Sequence, residues 1–286
     1  MVDMDKSYLK RIIEGLHMKS WHVQRQGNFA TLYKEGAFPE ALAALSNMMK
    51  NPPPWATRDG DLYTLWAELE LMVNENAPRA LQLLDTALNL GCSMMGYYYR
   101  TLAQAMLKTG DRETALRYLE KSVEEEPTVA NLTDLGQVLS HAGDTRATSV
   151  WEKLLEKDPK NCLAHIYIGL EAAEAGDQGK AILMAKRAER LNPLVEDIFE
   201  IGRLYHYAGE VQSALSSYLE AAKRGYSDKG MLYACIASCY FSLRNDNLAR
   251  KYAEWAMQSD PQNDYVKEIW QDVQTIGQDK SSLEDS

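Results

Sequence analysis

Four short phrases decide the fold: Lys108-Thr109-Gly110-Asp111, His141-Ala142-Gly143-Asp144, Glu174-Ala175-Gly176-Asp177 and Tyr207-Ala208-Gly209-Glu210. Their glycines stand 33 residues apart each time. Each phrase is followed by an alanine, a packing residue four positions on, and a stop. The sets are Ala115, Leu119 and Pro127; Ala147, Trp151 and Pro159; Ala181, Ala185 and Pro193; and Ala214, Tyr218 and Gly225. A fixed period of this length marks a stacked array of one small motif rather than a single closed domain.

The pattern continues outward from these copies. Arg244-Asn245-Asp246 repeats the turn and leads to Ala249, Ala253 and Pro261. Upstream, Glu35-Gly36 leads to Ala41, Leu45 and Pro53, and a degenerate copy runs from Glu75-Asn76 to Ala80, Leu84 and Gly91. About seven copies therefore fill residues 21–261.

Each turn follows a stretch with apolar residues three and four apart, such as Leu132, Leu135 and Leu139, or Ile198, Ile201 and Tyr205. That spacing is one face of a helix. The glycine ends the helix in a left-handed conformation. The Asp, Glu or Asn after it suits the start of a second helix. Alanines on that second helix let the two backbones approach closely. Proline then ends the pair.

The repeat resembles the tetratricopeptide repeat, whose pattern runs Trp-xx-Leu-Gly-xx-Tyr, Ala-xxx-Phe and Pro. Leu135-Gly136, Ile168-Gly169 and Ile201-Gly202 occupy the Leu-Gly slot, Tyr205 the Tyr slot, and Leu119, Trp151 and Tyr218 the Phe slot. The Trp slot departs from the family and holds smaller residues: Leu132, Ile198 and His165. The resemblance implies an all-α fold: a right-handed α-solenoid of about seven helix-turn-helix hairpins with capping helices at both ends. Pro52, Pro53 and Pro54 predict an irregular joint near 51–61. Pentatricopeptide repeats share the period but fit the Gly-Asp turns and alanine slots less well.

Both ends carry amphipathic stripes. Tyr8, Leu9, Ile12, Ile13 and Leu16 predict a capping or arm helix over 1–20. Tyr265, Val266, Ile269, Trp270, Val273 and Ile276 predict a capping helix over 262–277, followed by a disordered acidic tail over 278–286. An open solenoid end exposes core, which a cap covers. Residues 1–10 lack the apolar run of a signal peptide. No stretch reaches the length of a membrane span. The expected compartment is the cytoplasm.

The formal net charge of −10 argues against a partner held by phosphate neutralisation, so no nucleic acid is expected. Cys92, Cys162, Cys235 and Cys239 form no CxxC pair and read as packing residues of a reducing compartment. The histidines, His17, His22, His141, His165 and His206, belong to no zinc-protease motif. No phosphate loop, nucleophile elbow or dinucleotide fingerprint is present. The reading is a protein that is not an enzyme, with no cofactor and no metal.

In arrays of the family it resembles, the first helix of each hairpin lines a concave groove. The residues after the packing slots are then the expected contacts for a partner: Tyr97, Arg100, Gln104 and Lys108; Asp134, Gln137 and His141; Tyr167; and Phe199, Arg203, His206 and Tyr207. Thr133, Ile166, Leu170, Glu196, Cys235 and Cys239 fall in neighbouring or equivalent positions. Tyr and Arg are enriched in binding hot spots. The clamp by which some co-chaperones of that family hold a peptide carboxylate is not met, since Gln26 and Ala30 fill its slots. The expected function is a non-catalytic scaffold, adaptor or chaperone-like protein that binds a peptide or helix of another protein. The alternative is a permanent subunit of a larger complex, or a homo-oligomer built through the N-terminal helix.

Overall fold

The computed structural model describes residues 29–275. They form fifteen α-helices and one short 3-10 turn, with no strand among the described residues. The expected helix over 1–20, the tail over 278–286, and Gln26, His17 and His22 lie outside them. The chain divides into two compact units, one running through Lys157 and the other starting at Asp158.

The first unit holds α1 (Phe29–Lys34), α2 (Phe38–Met48), α3 (Gly60–Val73), α4 (Ala77–Leu90), α5 (Met95–Thr109), α6 (Arg112–Glu125), α7 (Val129–His141) and α8 (Ala147–Lys157). The second holds α9 (Cys162–Glu174), α10 (Gln178–Glu189), α11 (Val195–Tyr207), α12 (Val211–Lys223), α13 (Lys229–Ser242), α14 (Asp246–Ser259) and α15 (Asp264–Gln274). Consecutive helices pair as α-hairpins, and α15 packs against both α13 and α14.

The turn chemistry works as the residues dictate. Gly110 sits at φ +87° and closes α5, its N–H bonding the Leu107 carbonyl. The next residue, Asp111, accepts the Thr114 N–H at 3.0 Å and starts α6. Asp177 does the same for Lys180 at 2.9 Å, and Asn245 for Leu248 at 3.3 Å. Such a cap stabilises a helix by about 1 kcal/mol. Where the turn glycine is missing, Glu75 (φ +51°) and Arg244 (φ +60°) take the left-handed conformation instead.

The Leu-Gly slot sets how closely the paired helices approach in the first unit. A Cβ on Gly136 would lie 2.7 Å from the Trp151 ring, so only glycine fits. Trp151 is fully buried there and donates from Nε1 to Ser140 Oγ at 2.9 Å. Burial of a side chain this large stabilises by roughly 3 kcal/mol. Neighbouring hairpins are joined through Asn131, whose Nδ2 donates to the Ser122 and Glu126 carbonyls at 3.1 and 2.6 Å. Between α2 and α3 the proline-rich link contains the 3-10 turn Ala56–Arg58, and Asp59 then caps α3.

In the second unit the Tyr218 ring fills the space beside Gly202 in the same way. α15 lays Val266, Ile269 and Val273 against Ala234, Ala237, Ala249, Ala253 and Ala256 of the last hairpin. The alanines present only a methyl each, so the helices approach closely. The stripe of α15 is thereby removed from water.

Candidate partner-binding surface

The twelve expected contact residues fall into two environments. In the first unit three of the seven are interior. Tyr97, Arg100 and Asp134 are buried, at 1%, 3% and 8% exposure. They belong to a polar ladder that crosses successive first helices. Tyr33 on α1 and Tyr97 on α5 both donate their hydroxyls to the Glu68 carboxylate on α3. Arg100 Nη2 donates to the other Glu68 oxygen at 2.6 Å, and its Nη1 lies 3.9 Å from Asp134 on α7. Gln104 Nε2 donates to Asp134 at 2.8 Å.

Burial explains why this ladder is internal rather than a contact surface. A charge taken out of water is costly unless paired and hydrogen-bonded. Arg100 and Glu68 provide that pairing for each other. Burial, and then the Glu68 charge, push the Tyr33 and Tyr97 phenols well above their ordinary values, so both stay protonated donors. Burial also raises the Asp134 carboxyl, with Arg100 working against it. Tyr97, Arg100 and Asp134, expected as groove contacts, are buried and join neighbouring hairpins. Thr133 is buried as well. The more accessible members are Gln104 and Gln137, both half-buried, and Lys108 and His141, which are exposed. Lys108 bridges to Glu75 at 2.8 Å and holds that carboxyl below its usual range.

Glu68 is the member that the sequence reading missed. The signal was a single carboxylate inside the inward-facing run Ala67-Glu68-Leu69. An acid inside a buried stripe is seldom left without partners.

In the second unit the expected residues stay closer to solvent. Arg203 bonds Glu200 at 2.8 Å and lies over the Tyr207 ring at 5.9 Å from its centroid. Tyr207 is 57% exposed. Tyr167, on α9, is half-buried, and its phenol is raised by burial and by Glu200. His206 is half-buried, and burial lowers its pKa, which favours the neutral ring. Phe199 departs from expectation: it is buried and stacked on Tyr226, with ring centroids 4.4 Å apart. It supports the surface from behind. Cys235 and Cys239 are likewise buried, and their thiols are pushed up to about 11 and about 12. Ile166 is buried too.

The last hairpin carries an aromatic group that the sequence reading did not single out. Tyr252 sits 5.0 Å from Trp255 and 5.5 Å from Tyr240, and Lys251 Nζ lies 4.8 Å above the Trp255 ring. Trp255 is 37% exposed. Among the described residues, no group of three or more His, Cys, Asp or Glu is placed to hold a metal ion. No helix among them is long and apolar enough to cross a membrane.

The pairing of helices, the glycine slots and the alanine seams define a protein of the tetratricopeptide-repeat fold. Solved structures agree. One chain of the APC/C hetero-tetramer Cut9–Hcn1 aligns with 93% of this chain at a TM-score of 0.74 and 13% identity. The alignment spans 52% of that chain, so this protein matches about half of its length. A tetratricopeptide repeat protein from Parabacteroides merdae aligns over 86% of this chain and 96% of its own, at a TM-score of 0.62 and 15% identity. PilW, a type IV pilus biogenesis factor, aligns over 73% of this chain and 97% of its own, at a TM-score of 0.64 and 16% identity. No protein-family model matches the sequence. No curated protein matches it either.

Proposed function

We propose that the protein is a non-catalytic scaffold or adaptor that binds a peptide or helix of a partner protein. The proposed contact surface is the face of α9 and α11 that carries Tyr167, Arg203, His206 and Tyr207. The observation that carries this reading is the Arg203–Tyr207 arrangement: a guanidinium held over a ring that is itself 57% exposed. A preordered Tyr/Arg pair presents large contact area at small entropic cost, as hot spots do. A chain of the same fold was solved within a hetero-tetramer of Cut9 and Hcn1, which supports a role in assembly. The four free cysteines fit a reducing compartment such as the cytoplasm.

The test is affinity capture from the native extract with the wild-type chain and with Arg203→Glu/Tyr207→Ala. Circular dichroism serves as the folding control. Partners captured by the wild type should be lost from the variant while its helical signal stays. An unchanged set of partners sinks the proposal.

A further inference from the structure

The second unit contains a cavity that the Tyr/Arg surface does not use. It has a volume of about 330 Å³ and is lined by Pro159, His165, Arg187, Arg190 and Leu191. His165 occupies the slot where the tetratricopeptide pattern places tryptophan, and an imidazole fills far less space than an indole. His165 is nonetheless buried, at 7% exposure. Its Nε2 lies 3.2 Å from the Pro159 carbonyl oxygen, which can only accept, so that nitrogen carries a proton. Its Nδ1 is buried without a hydrogen-bond partner.

Arg187 and Arg190 stand three residues apart at the end of α10, which places them on one side of the helix. Both are exposed. Neither takes part in an ion pair among the described residues. The hollow opens to solvent; Pro159, Leu191 and the His165 ring line it beside two uncommitted guanidinium forks, with no carboxylate in its lining. The planar fork of arginine matches carboxylate and phosphate oxygens.

We propose that this cavity binds a small organic oxyanion, a carboxylate or phosphate group carried on an apolar body. Arg187 and Arg190 grip the anion, while Pro159, Leu191 and the His165 ring hold the body. The site is independent of the partner surface proposed above. Lys186 and Arg187 also offset the dipole at the C-terminal end of α10. That role needs no cavity, and the variants below separate the two.

The experiment is calorimetric titration of the full chain with phenyl phosphate, benzoate and inorganic phosphate. One of the two aromatic anions should bind saturably, at least about tenfold tighter than inorganic phosphate, a difference of about 1.4 kcal/mol. The stronger of the two identifies the anion class. Arg187→Ala/Arg190→Ala should weaken binding about tenfold or more. His165→Trp, which fills the cavity and keeps both arginines, should do the same. Should His165→Trp lose its helical signal, Leu191→Trp obstructs the cavity from another wall. The proposal is overturned by the absence of saturable binding, by equal affinity for inorganic phosphate, or by undiminished binding in the filled-cavity variant.

Discussion

Arg244 holds φ at +60° in a turn where five other copies of the repeat use glycine at φ between +66° and +87°. A side chain in that conformation costs about 1 kcal/mol or more. Arg244→Gly removes this strain, against a smaller entropic loss from glycine in the unfolded chain. The expected outcome is a net gain of about 0.5 kcal/mol. Urea unfolding measures it, and a loss of stability would show that the Arg244 side chain contributes more than its strain costs. The same scale governs the buried ladder. Glu68→Gln leaves the Arg100 guanidinium without its 2.6 Å carboxylate partner. Removing one member of a buried pair costs about 3–5 kcal/mol, so this variant should melt well below the wild type. Asp134 behaves oppositely. Its carboxyl is raised by burial, so its contribution is favourable when protonated and declines as pH rises through the folded-state value. Asp134→Asn keeps an oxygen to accept from Gln104 and leaves Arg100 with Glu68. The variant should lose nothing at pH 7 and compare less well with the wild type near pH 4. A clear loss at pH 7 would mean that the 3.9 Å contact with Arg100 outweighs the burial cost.

At the scale of the element, hairpin geometry rests on the glycine facing the large residue of its partner helix. Gly136→Ala forces a methyl to within 2.7 Å of the fully buried Trp151 ring. Overpacking of this kind costs about 1–3 kcal/mol. The expected signature is a lower melting temperature with Trp151 emission shifted towards the red, read in a variant whose other tryptophans are replaced by phenylalanine. An unshifted melt would mean that α7 and α8 part without cost. This slot was legible in the sequence, because Leu135-Gly136 and Trp151 recur in register with Ile201-Gly202 and Tyr218. Helix identity, turn positions and the seam alanines were legible for the same reason: period and cap chemistry are local. The polar partner of each groove position was not. Arg100 and Phe199 stand ten residues before their turn glycines and are both buried, whereas Gln104 and Arg203 stand six before and are both half-buried. Arg100 nonetheless reaches Glu68 on another hairpin, whereas Arg203 turns to Glu200 on its own helix. Neighbours across hairpins lie some 30 residues away in sequence, and no periodicity specifies them.

For the whole molecule, strong helix contacts run between near neighbours in the chain, and the residues divide into two compact units. Arrays with nearest-neighbour coupling unfold in parts, and two-state behaviour is not assured. Urea unfolding followed by circular dichroism and by tryptophan fluorescence should therefore give transitions that do not coincide. Coincident transitions would show tight coupling along the entire chain. A repeated scaffold displays equivalent positions many times: ten residues before the turn they are buried, as at Arg100, Thr133, Ile166 and Phe199, and six before it they are half-buried, as at Gln104, Gln137, Leu170 and Arg203.

The buried ladder has a consequence for how such a chain can change its length. Hairpins joined only by alanine seams and leucines are interchangeable parts, and one more or one fewer leaves every junction as it was. The second and third hairpins are not, because one brings the acid and the other the base, and each is addressed to the other. Duplicating, deleting or reordering a hairpin at that junction strands a buried charge, whereas the same edit at an apolar seam does not. Growth of the array by recombination is thus steered away from the Glu68–Arg100 junction and towards the seams that carry no such address.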